Sequence, residues 1–241
     1  MANWSDPRMS PQQSMAAASG VAVDAGLRSY MLSVYNYMIC GVLLTGVVAM
    51  VFVNTPAFDI VMGSPLRWVA MLAPLGLVLA LSFGINRMQA STAQALFWAY
   101  AALNGIAFSV IFKIYTNVSI AETFFATSAA FAGLSLYGYT TKRNLGPMGT
   151  FLIMGVVGLI IASVINMFLH SGPMALMIDA LGILIFAGLT AYDTQKIKSM
   201  YYSVSGSGEL MAKSAVMGAL QLYLDFINMF MFLLRFMGDR R

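Results

Sequence analysis

Seven apolar runs, separated by short polar or Pro/Gly-bearing connectors, constrain this chain more than any other feature of its sequence. They cover residues 30–53, 68–85, 93–112, 120–139, 148–169, 174–192 and 214–236. A bilayer core demands about 20 apolar residues per helical crossing, and backbone groups inside it must be hydrogen-bonded within the helix. The expected fold class is therefore an all-α integral membrane protein with seven transmembrane helices. Composition agrees: 60% of the 241 residues are apolar and only 9% are charged, against about 25% charged in soluble globular chains. Too little polar surface remains for a separate soluble domain. Residues 1–28, rich in Ser, Ala, Gln and Met, lack the basic start, apolar run and cleavage site of a secretory signal. They are expected to form a disordered cytoplasmic N-terminal tail ahead of a single transmembrane domain, 29–241.

The net charge of +4 and pI near 9.2 come from basic residues scattered singly between apolar runs. That pattern serves membrane topology and does not suit a nucleic-acid surface. With the N-terminus cytoplasmic, the inner connectors hold Arg87, Lys142, Arg143, Lys196, Lys198 and Lys213, against Arg67 and Lys113 in the outer ones. The N-terminus is therefore placed inside. Seven crossings then put the C-terminus outside, where Arg235, Arg240 and Arg241 stand against the rule; a last segment that dips in without crossing stays open. Ser171, Gly172 and Pro173 make the tightest turn, between the fifth and sixth runs. Cys40 is the single cysteine, so no intrachain disulfide and no cysteine metal site can form.

An ionisable group inside a membrane helix costs several kcal/mol and normally faces a partner or water, which makes such groups the functional candidates. Four acids qualify: Glu122, Asp179, Asp193 and Asp225. Asp193 is expected to close the sixth helix at its cytoplasmic end, and Asp225 lies about three turns inside the seventh. Two carboxylates brought together in low dielectric do not both ionise easily and can share a proton, forming a pH-sensitive latch. Arg87, at the cytoplasmic end of the second helix, is the cation placed to compete for them, and it also suits a topogenic role. Lys196 and Lys198 read as positive-inside residues. Glu122 and Asp179 belong to the opposite face and would form an outer vestibule for a cation; Glu122 also fits simple helix-dipole stabilisation. No fixed metal site is expected, only transient calcium contacts at Asp179, Asp193 and Asp225.

The stretches Phe131-Ala132-Gly133-Leu134-Ser135-Leu136-Tyr137-Gly138-Tyr139, Ile185-Phe186-Ala187-Gly188-Leu189-Thr190-Ala191-Tyr192-Asp193-Thr194-Gln195 and Ala219-Leu220-Gln221-Leu222-Tyr223-Leu224-Asp225-Phe226-Ile227-Asn228 resemble the signature segments of the Bax inhibitor-1 family, the transmembrane Bax inhibitor motif family. The likeness runs from Arg28 to Phe236 and points to a bacterial member in the inner membrane. The resemblance implies a bundle with the seventh helix central, wrapped by the other six. It also implies a pH-dependent calcium leak gated by an aspartate pair, here Asp193 and Asp225, with Arg87 matching by position an arginine that exchanges with the pair. The chain departs from the family pattern in a longer connector, 201–213, and in ending soon after the seventh helix.

Other functions are weighed against these residues. A presenilin-type aspartyl protease is expected to carry Gly-x-Gly-Asp at its second aspartate, where this chain reads Leu222-Tyr223-Leu224-Asp225; a rhomboid-like protease needs a Gly-x-Ser-Gly that does not occur, and His170 sits in an outer turn. The chain is expected not to be an enzyme and to need no cofactor, with calcium as the permeant ion and membrane lipid as its surroundings. A proton-coupled carrier would use the same aspartates. Modulation of a membrane-bound quality-control protease through the N-terminal tail is the alternative of a different class.

Overall fold

The computed structural model describes the backbone from Pro11 to Arg241 and the side chains from Asp24 onward. Residues 1–10 of the expected tail lie outside the described residues. Among the described residues nine helices follow in order: α1 Pro11–Phe52, α2 Pro56–Met62, α3 Leu66–Gly84, α4 Ala90–Phe108, α5 Ile111–Ile114, α6 Asn117–Thr140, α7 Gly146–Leu169, α8 Gly172–Val204 and α9 Gly208–Met237. Seven segments of the described residues are long and apolar enough to cross a membrane: Asp24–Phe52, Leu66–Gly84, Ala90–Ile114, Asn117–Thr140, Gly146–Leu169, Gly172–Val204 and Gly208–Met237. Each expected span is present. The short α2 fills the first connector, and the third span breaks at Ser109 and Val110 before the single turn of α5.

Local chemistry sets the helix ends. Thr116, Ser171 and Ser207 accept hydrogen bonds from Ser119, Met174 and Leu210 backbone N–H groups at the starts of α6, α8 and α9, satisfying donors that have no partner within the helix. Proline stands in the first turn of α2, α7 and α8, where its missing N–H costs nothing. His170 ends α7 in the left-handed region, φ 50°, and so reverses the chain in a two-residue turn.

α9 is the central helix. It packs against α1, α4, α6 and α8, while α3 leans on α4 and α7 on α8 from outside. The implied wrapping by all six other spans is thus met by four, with two as an outer layer. The core is built on α9: Val216, Ala219, Leu220, Leu222, Tyr223 and Met229 are fully enclosed, whereas α7 presents Phe151, Ile160 and Phe168 outward, as a lipid-facing helix does.

The largest departure from the sequence reading lies between the sixth and seventh spans. Residues 193–204, expected as connector, continue α8 without a break, and α9 begins at Gly208, so the link is only Ser205 to Ser207. The polar residues there hide a helical face: Thr190, Thr194, Ile197 and Tyr201 follow one another at helical spacing and are buried. α8 with 33 residues and α9 with 30 measure about 50 and 45 Å at ~1.5 Å per residue, against a hydrocarbon core of ~30 Å. Both therefore extend beyond the membrane at the end where they meet. There Tyr30 of α1 hydrogen-bonds Ser214 at 2.7 Å and its ring lies 5.6 Å from that of Tyr201.

The seventh span, Gly208–Met237, is also long and apolar enough to cross. After α9 the chain meets the link between α5 and α6: Thr116 N–H donates to the Asp239 carbonyl, Arg241 N–H to the Ile114 carbonyl, and Asp239 N–H to Ser119 Oγ. This places Arg241 beside the link between the third and fourth spans, at the end of the bundle opposite the link between α8 and α9, as a full crossing requires.

Candidate functional site

α8 and α9 run antiparallel against each other, and α6 packs against both. In this three-helix seam Asp225 is 4% exposed, and its carboxyl group lies within hydrogen-bonding reach of that of Asp193. Asp193 is half-buried, about three turns before the end of α8 and not at its terminus. Asp225 Oδ2 receives no hydrogen bond. Two ionised carboxylates only accept, so a bond between them requires that one carry a proton. The seam therefore brings Asp193 and Asp225 together in an arrangement that holds a proton or a cation in preference to two bare charges.

The positive charge acting on both acids is Lys196, about one turn along α8 from Asp193. Its ammonium also lies 6.0 Å from the Tyr192 ring centroid. Arg87 is exposed in the link between α3 and α4, and the ion pairs among the described residues, Lys213–Glu209 and Arg235–Asp179, do not include it. The sequence offered a signal for Lys196, a cation three residues from a membrane acid, masked by its reading as a positive-inside residue beyond the end of the sixth helix.

The backbone around the pair is held firmly. Gly138 of α6 lies against the Ala191 carbonyl so closely that a Cβ would overlap it, so only glycine permits this approach of α6 to α8. Thr194 donates to the Thr190 carbonyl and reaches Ser135 Oγ at 3.4 Å. Lys198 Nζ donates to the Tyr139 carbonyl at 2.7 Å, and Gln195 joins Leu145 N–H at 2.9 Å to the Arg143 carbonyl at 2.8 Å. The link between α6 and α7 is thereby fastened over the seam. Ser135 continues toward the other end of α6 into Thr127, Thr123 and Ser119 on the same buried face, and Thr123 Oγ1 has no partner.

Asp179 is engaged in an ion pair that Glu122 does not join. Asp179, 7% exposed, accepts from Arg235 Nη2 at 2.8 Å, which joins α8 to α9 and gives Arg235 a structural partner where the topology rule offered no reason for a basic residue. Glu122 is exposed on α6, outside both ion pairs. A second polar cluster lies across α9 from the aspartates. Thr45 Oγ1 lies 2.9 Å from the Gly41 carbonyl, 2.8 Å from the Ala101 carbonyl and 2.7 Å from Tyr223 Oη. The single hydroxyl proton of Thr45 goes to a carbonyl, so Tyr223 is the donor to Thr45. Asn104 lies beside Tyr100 and Tyr223, its amide nitrogen without an acceptor. Thr45 and Asn104 were visible as polar residues inside apolar runs. No group of three or more His, Cys, Asp or Glu suited to a metal ion occurs among the described residues.

Comparison with known proteins agrees with this architecture. The family described as "Inhibitor of apoptosis-promoting Bax1" matches residues 27–241. An uncharacterized protein of Rickettsia prowazekii is 49% identical over 219 residues, covering 90% of this chain and 92% of that protein. The inner membrane protein YbhL of Escherichia coli is 42% identical over 220 residues, covering 90% and 94%. A Caulobacter vibrioides protein is 44% identical over 236 residues, covering 94% of each. With a family match across nearly the whole chain and seven membrane-length helices, this multi-pass membrane protein belongs to the Bax inhibitor-1 family.

Proposed function

We propose that the chain is a pH-sensitive calcium leak channel, gated where Asp193 of α8 meets Asp225 of α9. The observation that carries this is the enclosure of two facing carboxyl groups at the contact of the central helix with its neighbour. With one proton on the pair, an O–H···O bond ties α9 to α8. Loss of that proton leaves like charges in low dielectric, whose repulsion separates the helices unless a cation enters. A local charge event thereby biases a two-state packing. Carboxylate, hydroxyl and carbonyl oxygens suit a hard cation such as calcium, and the buried hydroxyls of α6 give it partners along the seam. Conduction of this kind needs no catalysis and no bound cofactor. The inner-membrane name of the Escherichia coli relative and the excess of basic residues on one side support a bacterial inner membrane location with the N-terminus in the cytoplasm.

The test is calcium flux into proteoliposomes of the purified chain, across pH and with sodium, potassium and magnesium as competitors. Flux above that of protein-free vesicles, rising as the pair gives up its shared proton, is the expected result. Flux equal to protein-free vesicles at every pH would overturn the proposal.

A further inference from the structure

We propose that the crevice between α1 and α6, in the half of the bundle nearer Asp24, binds one anionic membrane phospholipid, with acyl chain in the crevice and phosphate at Arg28. Both helices pack against α9, yet they leave between them a cavity of about 810 Å³. A closed apolar void of about 150 Å³ already takes up benzene, so this space is ample for acyl chain. Its floor is aromatic: Phe226 of α9, 4% exposed, meets Phe131 of α6 edge to face at 5.6 Å. Leu32, Ile39 and Leu136 at its rim are half exposed or more. The crevice therefore opens sideways, at membrane depth, to an apolar occupant arriving from the bilayer.

Its dimensions and charge point to a lipid of one leaflet. From Arg28 to Leu43, both lining the cavity, α1 rises about 22 Å at ~1.5 Å per residue, which matches half of a ~40–45 Å bilayer including its headgroup region. The polar end holds Arg28, with Tyr35 and Tyr139 beside the opening, amphipathic rings suited to headgroup depth. Among the described residues no carboxylate lines the cavity. Asp24, one turn earlier on α1, makes no ion pair with Arg28 among the described residues. A cation above an apolar slot is complementary to a phosphate carried on a hydrocarbon chain.

The experiment uses the full chain in nanodiscs containing phosphatidylglycerol with a photoreactive group on its acyl chain, adducts being mapped by mass spectrometry of peptides. Adducts should concentrate on α1 between Met31 and Leu43 and on α6 between Ser128 and Tyr139, well above those on the outward residues of α7. Ala132→Trp, at an exposed crevice position, should fill the slot and remove the crevice adducts while leaving those on α7 unchanged. Arg28→Gln should lower crevice labelling about fivefold, the effect of losing one basic residue at an anionic surface, and Arg28→Lys should restore most of it. Equal labelling of α7, or crevice labelling indifferent to Ala132→Trp, would mean nonspecific boundary lipid only and overturn the site. Labelling indifferent to Arg28→Gln would overturn the phosphate contact. Cross-links between copies through the crevice, without lipid adducts, would assign the space to a second copy and likewise overturn the proposal.

Discussion

A carboxyl group such as that of Asp225, whose Oδ2 is enclosed without a donor, is stable only if the pair it forms with Asp193 carries a proton or a cation stands between them. Asn at either position supplies a permanent N–H donor in place of the titrating one, so the latch then stays formed at every pH. Asp193→Asn and Asp225→Asn should each flatten the pH dependence of calcium flux, because the proton that the pair exchanges with water is then no longer needed to hold it together. The double variant should add little to the stronger single one, because both remove the same interaction. Full pH dependence in both single variants, with folded protein confirmed, would exclude the aspartate gate. On the opposite side of α9, Tyr223→Phe removes the donor to Thr45 and should cost about 1 kcal/mol of stability, the usual worth of one interhelical hydrogen bond, read as a lowered Tm in detergent. The two gate acids are legible in the sequence because a charge inside an apolar run demands an explanation. Their partners are less so. Arg235 reads as a topology residue until Asp179 is found 2.8 Å away, since a contact between helices 56 residues apart in sequence leaves no local pattern.

At the scale of the element, α8 is the helix whose extent the sequence misstates. The stretch from Asp193 to Val204 carries the charged and polar residues that ordinarily mark a connector, but Gln195 and Lys198 spend their polar groups on the link between α6 and α7. Ile197 and Tyr201 meanwhile complete the buried face. Apolar length alone identifies a membrane crossing; it does not show where a helix stops once it leaves the hydrocarbon. Ser199 is exposed in the interior of this stretch, so Ser199→Pro should destabilise the protein by about 3 kcal/mol or more, through a lost backbone hydrogen bond and a ring clash, whereas Ser199→Ala should be close to neutral. Thermal unfolding of the two variants separates a helix from a loop, where proline would be tolerated. The Asp179–Arg235 pair staples α8 to α9 near the other end. Asp179→Asn should lower the Tm, and adding Arg235→Gln should lower it little further, because the two changes break one contact.

For the whole molecule, seven complete crossings require that the link between α8 and α9 and the chain's carboxyl end face opposite sides of the membrane. In a Cys40→Ala background, Gly206→Cys should resist an impermeant thiol reagent added to intact cells, and Asp239→Cys should react with it. Labelling of Gly206→Cys from outside would reverse the proposed orientation. Number, order and depth of the spans were legible because bilayer thickness writes itself into sequence; the centrality of α9 came only with the family resemblance, since burial among helices and burial in lipid select the same apolar residues. That centrality carries a consequence for biogenesis. The helix that supplies the middle of the bundle is the last of the seven to leave the ribosome, and chains acquire their structure from the N-terminus during synthesis. Before Gly208–Met237 is inserted, α1 can pair with α4 and α6 with α8, but the helix that joins the two pairs is missing. Closure of the bundle therefore waits for α9 and for residues 239–241 to engage the link between α5 and α6, and a nascent chain halted before α9 offers membrane proteases an incomplete bundle.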